Sequence, residues 1–141
     1  MTVARGLLDT STVILLSRVR DPADLPDDCV ISAVTLAELS VGPHVADSQA
    51  ERAARQAHLQ QAEADFEVLA FDAASARAFG TVAASLRASG RKPAARAYDA
   101  LIAATAIAHD LPLFTSNPSD FSGIDRLDLR PVAITPSAPT G

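Results

Sequence analysis

The stretch YDALIAATAIAHDLPLFTSNPSDF, residues 98–121, decides the fold. Its apolar residues recur at helical spacing, which predicts a helix that begins after Pro93 and ends at His109. The short apolar run 113–115 follows at once and has the composition of a buried strand. A helix that leads directly into a buried strand is typical of a chain in which strands and helices alternate.

Strand-like and helix-like segments alternate along the rest of the chain as well. Strands are predicted at residues 3–8, 29–31, 66–71, 113–115 and 127–132. Helices are predicted at residues 13–17, around Glu38 as far as Gly42 and Pro43, at 47–63, from 72 to 90, and from Pro93 to His109. This order predicts an α/β fold in which helices cover both faces of a central, mostly parallel sheet.

Size and composition fit one globular domain. The chain has 141 residues, 48% hydrophobic and 21% charged, which is enough for one substantial core. We predict a single domain at residues 1–134 and a flexible tail, rich in Pro, Ser and Thr, at 135–141. No apolar run approaches the roughly 20 residues that a membrane span needs, and no signal-peptide pattern is present, so we expect a cytoplasmic protein. Cys29 is the only cysteine, which excludes an intrachain disulfide and predicts a small core residue.

The charge distribution differs from the total charge. A net charge of −5 argues against a protein that coats nucleic acid non-specifically. Between Asp72 and Asp99, however, there is no acidic residue, and five basic residues occur there: Arg77, Arg87, Arg91, Lys92 and Arg96. They form either a solvated helix face or a basic patch that steers a polyanion towards Asp99.

Four acidic residues stand in or beside apolar segments. Asp9 and Asp120 follow predicted strands, whereas Glu38 and Asp99 lie on predicted helices. A carboxylate among apolar residues is costly unless a partner or a metal ion compensates its charge. In parallel sheets, sites form beyond the carboxyl ends of the strands, so the four could share one crevice. Mg²⁺ and Mn²⁺ prefer such oxygen ligands, and ions held by carboxylates activate water and neutralise a phosphodiester.

Each acid also has a plainer interpretation. Asp9 could be the N-cap of the first helix, a role for which the hydroxyls of residues 10–12 also qualify. Glu38 could pair with an arginine, and Asn117 and Asp120 could be ordinary turn residues. Asp99 is harder to explain in this way, because apolar residues three, four and seven positions later make it the start of a buried helix stripe. In the active-site interpretation, hydroxyls that orient ligands or water come from Thr10, Ser11, Thr115 and Ser116.

Several motifs together resemble a known family. They are LLDTS at residues 7–11, SAVTLAELSVG at 32–42, YDALIAATAIAHDLPLFTSNPSDF at 98–121 and the closing LRPV. The set resembles a PIN domain, and most closely the VapC toxins of bacterial toxin–antitoxin pairs. The resemblance implies a three-layer α/β/α PIN fold, Mg²⁺- or Mn²⁺-dependent endoribonuclease activity and a homodimer. It also implies a cognate VapB antitoxin whose C-terminal segment enters the active-site groove.

The resemblance also implies roles for individual residues. Asp9, Glu38 and Asp99 match the first three acids of the family, and Asp9 and Asp99 would hold the principal metal ion. Glu38 would complete the acidic cluster and act as base for the attacking water. The fourth acid of the family falls at Asn117, so Asp120 would compensate, and the two would position a second ion or the nucleophile. A non-catalytic PIN-like module that binds RNA or protein is the alternative.

Overall fold

The architecture is a five-stranded parallel sheet. A computed structural model describes residues 3–92 and 96–136. Within them the strands are β1 (Arg5–Leu8), β2 (Asp28–Ser32), β3 (Glu67–Leu69), β4 (Leu113–Thr115) and β5 (Leu129–Pro131). Their order across the sheet is β3-β2-β1-β4-β5, and every pairing between neighbours is parallel. The predicted α/β fold is confirmed.

Five α-helices connect or flank these strands in the described residues. They are α1 (Thr10–Ile14), α2 (Ala33–Val41), α3 (Gln49–Asp65), α4 (Ala73–Ala88) and α5 (Ala97–Ala108). Short 3-10 helices occupy Leu16–Arg18, Pro22–Asp24, Gly42–Val45 and Pro118–Phe121. Ser32, Ser48 and Asp72 cap α2, α3 and α4, because each side chain accepts a hydrogen bond from a free N–H of the first turn. No helix in the described part of the chain is long and apolar enough to cross a membrane.

Two apolar cores lie on opposite faces of the sheet. Side chains of a strand alternate between its faces, so Leu7 and Leu8 of β1 enter different cores. Leu7 packs in the core that includes residues of α4 and α5, whereas Leu8 packs in the core that includes residues of α1, α2 and α3. Both leucines are fully buried, which is worth about 1.5–3 kcal/mol for each side chain. The layers are therefore helix, sheet and helix.

The strand order creates a switch point between β1 and β4. From β1 the chain proceeds through β2 and β3 to one edge, and it later returns through β4 and β5 to the other edge. Loops that leave β1 and β4 consequently diverge to opposite faces and open a crevice at the carboxyl ends of these strands. Asp9 follows β1 directly, and Ser116 and Asn117 follow β4.

The first helix starts earlier than predicted. We predicted residues 13–17, but α1 begins at Thr10. Of the two N-caps that the sequence offered, Asp9 takes the position and the hydroxyls of residues 10–12 do not. The reason is that the carboxylate of Asp9 accepts a hydrogen bond from the N–H of Thr12, which fixes the chain one turn sooner. The half-buried Cys29, which we predicted in the core, packs against the core that contains Leu8.

The domain boundary stays a prediction. At the start of the predicted tail, Thr135 donates its N–H to the carbonyl of Arg18 at 2.8 Å. The guanidinium of Arg18 in turn donates to the carbonyl of Thr135 at 2.8 and 3.0 Å. Residues 137–141 of the tail lie outside the described residues.

Candidate active site

Asp9 is the best-anchored acid of the crevice. Its side chain is only 4% exposed, and its N–H donates to the carbonyl of Phe114 on the neighbouring strand. Oδ1 accepts hydrogen bonds from the N–H of Thr12 at 3.0 Å and from its hydroxyl at 2.6 Å. Oδ2 accepts from the hydroxyls of Thr115 at 2.7 Å and Ser11 at 2.9 Å. These donors satisfy the hydrogen-bonding capacity of both oxygens of the buried side chain.

Glu38 reaches the crevice from α2. The hydroxyl of Thr10 donates to Oε1 of Glu38 at 2.7 Å and lies 3.0 Å from the hydroxyl of Thr35. Thr35 is held in place by Ser32, whose side chain accepts from the N–H of Thr35. Burial raises the pKa of Glu38, the hydrogen bond from Thr10 opposes this, and the negative charge of Asp9 raises the pKa further.

Asp99 and Asp120 form the less shielded side of the crevice. Asp99 lies in the first turn of α5, and Asp120 lies in the 3-10 helix that follows β4. Burial raises the pKa of Asp99 to about 6, with additional contributions from the charges of Asp120, Glu38 and Asp9, and the guanidinium of Arg96 opposes the shift. The acids predicted from the sequence therefore act on one another across the crevice.

Asn117 differs from the other candidate residues. Its side chain is exposed, and its hydrogen bond is made by the backbone N–H, which donates to the hydroxyl of Thr115 at 2.9 Å. In contrast, Asp120 shares the guanidinium of Arg96 with Asp99. The structure thus brings Asp120 to the side of Asp99, and it does not bring the side chain of Asn117 into hydrogen bonding with the acids.

The donor chemistry of the crevice suits a hard divalent cation, although the side chains are not arranged around one. Carboxylate and hydroxyl oxygens are its functional groups, and burial together with the charges of the neighbouring acids raises the pKa of Asp99. Among residues 3–92 and 96–136, however, no three His, Cys, Asp or Glu side chains form a group that could hold a metal ion as they stand. The carboxylates of Asp9, Glu38 and Asp99 are suitable ligands for a divalent ion. To bind the same ion, these side chains would need to turn towards one another.

Comparison with known proteins agrees with this geometry. The family model of the PIN domain matches residues 7–127. The chain is 40% identical over 126 residues to ribonuclease VapC5 of Mycobacterium tuberculosis, a match that covers 88% of this chain and 90% of that protein. The chain belongs to the VapC family of PIN-domain proteins. A second relative, ribonuclease VapC4 of the same organism, is 34% identical over 131 residues and is covered to 98%.

A solved structure extends the match to three dimensions. The chain superimposes with a TM-score of 0.79 on a chain of VapBC-5 from M. tuberculosis, described as a member of the VapBC family of toxin–antitoxin systems. The alignment covers 93% of this chain and 99% of that one, at 36% sequence identity. The predicted family and three-layer PIN fold are confirmed.

The predicted basic patch of this PIN domain is only partly free. Arg87 and Lys92 are exposed. Arg91 is partly buried, and its guanidinium donates to the carbonyl of Ser119 at 3.1 Å. Arg96 pairs with the acids of the crevice. Two of the five basic residues between Asp72 and Asp99 therefore bond to groups of the protein itself.

An apolar cavity of about 550 Å³ adjoins the acidic crevice of the PIN domain. It lies between α1, α2 and α3, and Glu38 is among its lining residues. Ile14 also lines it, and this side chain is 54% exposed although it is apolar. A second cavity of about 410 Å³ shares Ile14 and His58 with the first. The crevice thus continues into an apolar surface that could accommodate part of another molecule.

Sequence reasoning missed two contributors to the site. Thr12 donates twice to Asp9, and the signal for it was available, because an Asp N-cap bonds to the residue three positions later. Arg96 was assigned to the surface patch, and its contact with Asp120 across 24 positions has no local signal in the sequence.

Proposed function

We propose that this VapC-family PIN domain is a metal-dependent endoribonuclease and the toxin of a type II toxin–antitoxin pair. The observation that carries the proposal is the grouping of four acids at one end of the sheet: Asp9 follows β1, Glu38 is bound by the adjacent Thr10, and Asp99 and Asp120 share Arg96. Burial and the charges of the other three acids raise the pKa of Asp99, in agreement with this grouping. A polyanionic substrate would be repelled by such a cluster unless a cation lay between them. The ribonuclease names of relatives at 40% and 34% identity support RNA as the substrate.

In this proposal the acids divide the work. Asp9 and Asp99 hold the principal ion, either Mg²⁺ or Mn²⁺, and Glu38 completes the cluster. Bound there, a divalent ion would activate a water molecule and neutralise charge on the scissile phosphate. The hydroxyls of Ser11, Thr12 and Thr115 keep Asp9 in place.

Glu38 is the proposed base. Its pKa is raised by burial, which brings it closer to the working pH and favours uptake of a proton from the attacking water. Asp120, together with Asn117, positions a second ion or the nucleophile. Asp120 is the better supported of the two, because it shares Arg96 with Asp99.

A cognate VapB-type antitoxin is the proposed partner. The match to a chain of VapBC-5 supports it, and the apolar cavity beside Glu38 offers a surface for an antitoxin segment. An arginine of that segment could pair with Asp9, Glu38 and Asp99 through charge-assisted hydrogen bonds and displace the metal ion. The homodimer is also part of the proposal, and molar-mass measurement of the purified chain tests it.

One observation favours the alternative of a non-catalytic module that binds RNA or protein. The described acids do not form a metal-binding group as they stand, and the fourth acidic position of the family is Asn117. Incubation of folded protein with RNA in Mg²⁺, in Mn²⁺ and in EDTA separates the two functions. Cleavage that depends on the ion is expected, whereas RNA binding without any ion-dependent cleavage would establish the alternative.

The toxin assignment is tested in cells. Expression of the chain alone should arrest growth, and Asp9→Asn or Asp99→Asn should abolish the arrest. Asp110→Asn is a matched control, because Asp110 is exposed, lies outside the crevice and has a φ of 54°, which asparagine tolerates. End-mapping of cellular RNA after brief expression would identify the cleavage sequence. A harmless wild-type chain, or arrest that persists in both crevice variants, would contradict the assignment.

A further inference from the structure

Arg96 is the cation that contacts the acidic crevice within the described residues. Its Nη1 atom lies 2.8 Å from Oδ1 of Asp120 and 3.8 Å from Oδ2 of Asp99. The two acids belong to different parts of the chain, the 3-10 helix after β4 and the first turn of α5. Their charges repel each other, and one guanidinium between them offsets that repulsion.

The contact does more than hold the backbone together. Arg91 also binds the turn that contains Asp120, and it does so through the carbonyl of Ser119. The 3-10 helix therefore has a second anchor that involves no carboxylate. What Arg96 adds is a positive charge at the position where the acids face each other. An ordinary ion pair with a side chain 42% exposed would contribute little to stability.

A guanidinium and a divalent cation compete for the same carboxylate oxygens. While Arg96 pairs with Asp99 and Asp120, these side chains point towards it, and no described group of three acids is arranged for an ion. An ion bound to Asp99 would also be repelled by the guanidinium, because two positive charges a few ångströms apart repel each other strongly unless solvent screens them.

We propose that Arg96 is an internal counterion of the metal-free site and that a divalent ion must displace it from Asp99 and Asp120 to bind. This inference rests on the proposed metal site and adds a residue that regulates its occupancy. Arg96 is then a positioning residue, because it acts through the two acids. It offsets the repulsion between Asp99 and Asp120 in the absence of an ion, and it restricts occupancy of the site to conditions in which the ion is abundant enough to replace it.

The test is a gain of metal affinity. Binding of Mn²⁺ to the full chain is measured by calorimetry in weakly alkaline buffer, above the raised pKa of Asp99. Arg96→Gln should bind about tenfold more tightly than the wild type, as expected when one nearby positive charge is removed. The unfolding temperature of the metal-free variant should change little, because the ion pair is largely exposed, and Mn²⁺ should stabilise the variant by more than it stabilises the wild type.

Two variants separate charge from structure. Arg96→Lys retains the positive charge and should keep the affinity near that of the wild type. Arg91→Gln loosens the same turn without removing a contact to a carboxylate, and it should not tighten binding. Because Tyr98 is the only tyrosine and the chain has no tryptophan, tyrosine fluorescence during a Mg²⁺ titration provides a second measure of affinity beside Asp99.

The outcomes are distinct. Tighter binding by Arg96→Gln alone supports the inference. Equal or weaker binding by Arg96→Gln overturns it and leaves the metal-dependent nuclease standing. Tightening in Arg91→Gln of the same size also overturns it, because the effect would then come from the turn. If neither the wild type nor Arg96→Gln binds Mn²⁺, this inference and the proposed metal dependence fail together.

Discussion

The two sides of the crevice are built differently. On one side, Asp9 is 4% exposed and accepts hydrogen bonds from Thr12, Ser11 and Thr115. On the other side, Asp99 is partly exposed, its pKa is raised to about 6, and Arg96 is its charged partner. The first side is satisfied by neutral donors, and the second is only partly neutralised.

The difference has a physical origin. Asp9 directly follows the central strand β1 and is the N-cap of α1, so the backbone N–H and hydroxyls around it lie within hydrogen-bonding distance once these two elements form. Asp99 and Asp120 are brought together by tertiary structure and meet as like charges. One side can therefore act as a fixed anchor, while the other side can rearrange when a cation enters. The following experiments test that division.

The largest expected effect is loss of activity on replacement of either principal acid. Asp9→Asn and Asp99→Asn should each reduce RNA cleavage by about 1,000-fold or more, as expected when several kcal/mol of transition-state stabilisation are lost. Cleavage is measured with saturating Mg²⁺ or Mn²⁺, and Asp110→Asn serves as the control. Normal cleavage by both crevice variants would contradict the site.

The same two variants should have opposite effects on stability. In Asp9→Asn, an NH₂ group replaces one of two buried oxygens that each accept at least two hydrogen bonds, so the free energy of unfolding should fall by about 1–3 kcal/mol. In Asp99→Asn, a repelled charge is removed, and stability without metal should rise by about 1 kcal/mol once partial exposure is allowed for. Denaturant unfolding in EDTA measures the free energy of unfolding of both variants. If it changed in the same direction in both, the proposed difference between the two sides of the crevice would be contradicted.

The pH dependence sharpens the comparison further. The pKa of Asp99 is raised from 3.8 to about 6 in the folded protein, so the folded state holds this proton where the unfolded state has lost it. The contribution of Asp99 to stability is therefore fully present below its unfolded pKa and is lost as pH rises through about 6. In EDTA, the advantage of Asp99→Asn over the wild type should appear across this window and stay constant above it. If the stability difference between Asp99→Asn and the wild type did not depend on pH, the charge of Asp99 would not be its cause.

The fold was predictable because its signals are local and repeated. Alternating strand and helix periodicity sufficed for the α/β class, and the bounds of β4 matched residues 113–115. The order of the strands depends on contacts between distant segments. At Gly6, for example, a Cβ atom would collide with the ring of Phe114, so the close approach of β1 and β4 requires glycine there. Nothing near Gly6 in the sequence indicates that neighbour.

The candidate site was predictable where a residue's position in an element fixes its direction. Asp9 follows a strand and Asp99 begins a buried helix stripe, so both point to one end of a parallel sheet. The groups that compensate each carboxylate were not predictable, because they come from distant parts of the chain. Repulsion among the acids alone would predict that amide variants preserve or raise stability, and the hydroxyls around Asp9 change that expectation for this residue.

A smaller effect should come from the hydroxyls themselves. Thr115 is fully buried, and its hydroxyl donates to Asp9 while it accepts from the N–H of Asn117. Thr115→Val leaves both groups without this partner, so stability should fall by about 2 kcal/mol and kcat should decrease. Thr10→Val removes one bond to the half-buried Glu38, where water can replace it, so about 0.5–1 kcal/mol should be lost. A larger loss in Thr10→Val would reverse the ranking of the two sides.

The smallest effect concerns the basic residues outside the crevice. Arg87 and Lys92 are exposed. Arg91 and Arg96 differ from them because their guanidinium groups bond to the carbonyl of Ser119 and to the acids of the crevice. If both contact phosphates of bound RNA, replacing them together by glutamine should weaken binding several-fold and lower the slope of log affinity against log salt concentration by about two. Mn²⁺ affinity should not change, because neither residue contacts the acids. Arg52→Gln on α3 is the control, since Arg52 is exposed and lies outside this patch. An unchanged slope would show that Arg87 and Lys92 are only a solvated helix face, and electrostatic guidance of RNA would then have to come from the bound ion itself.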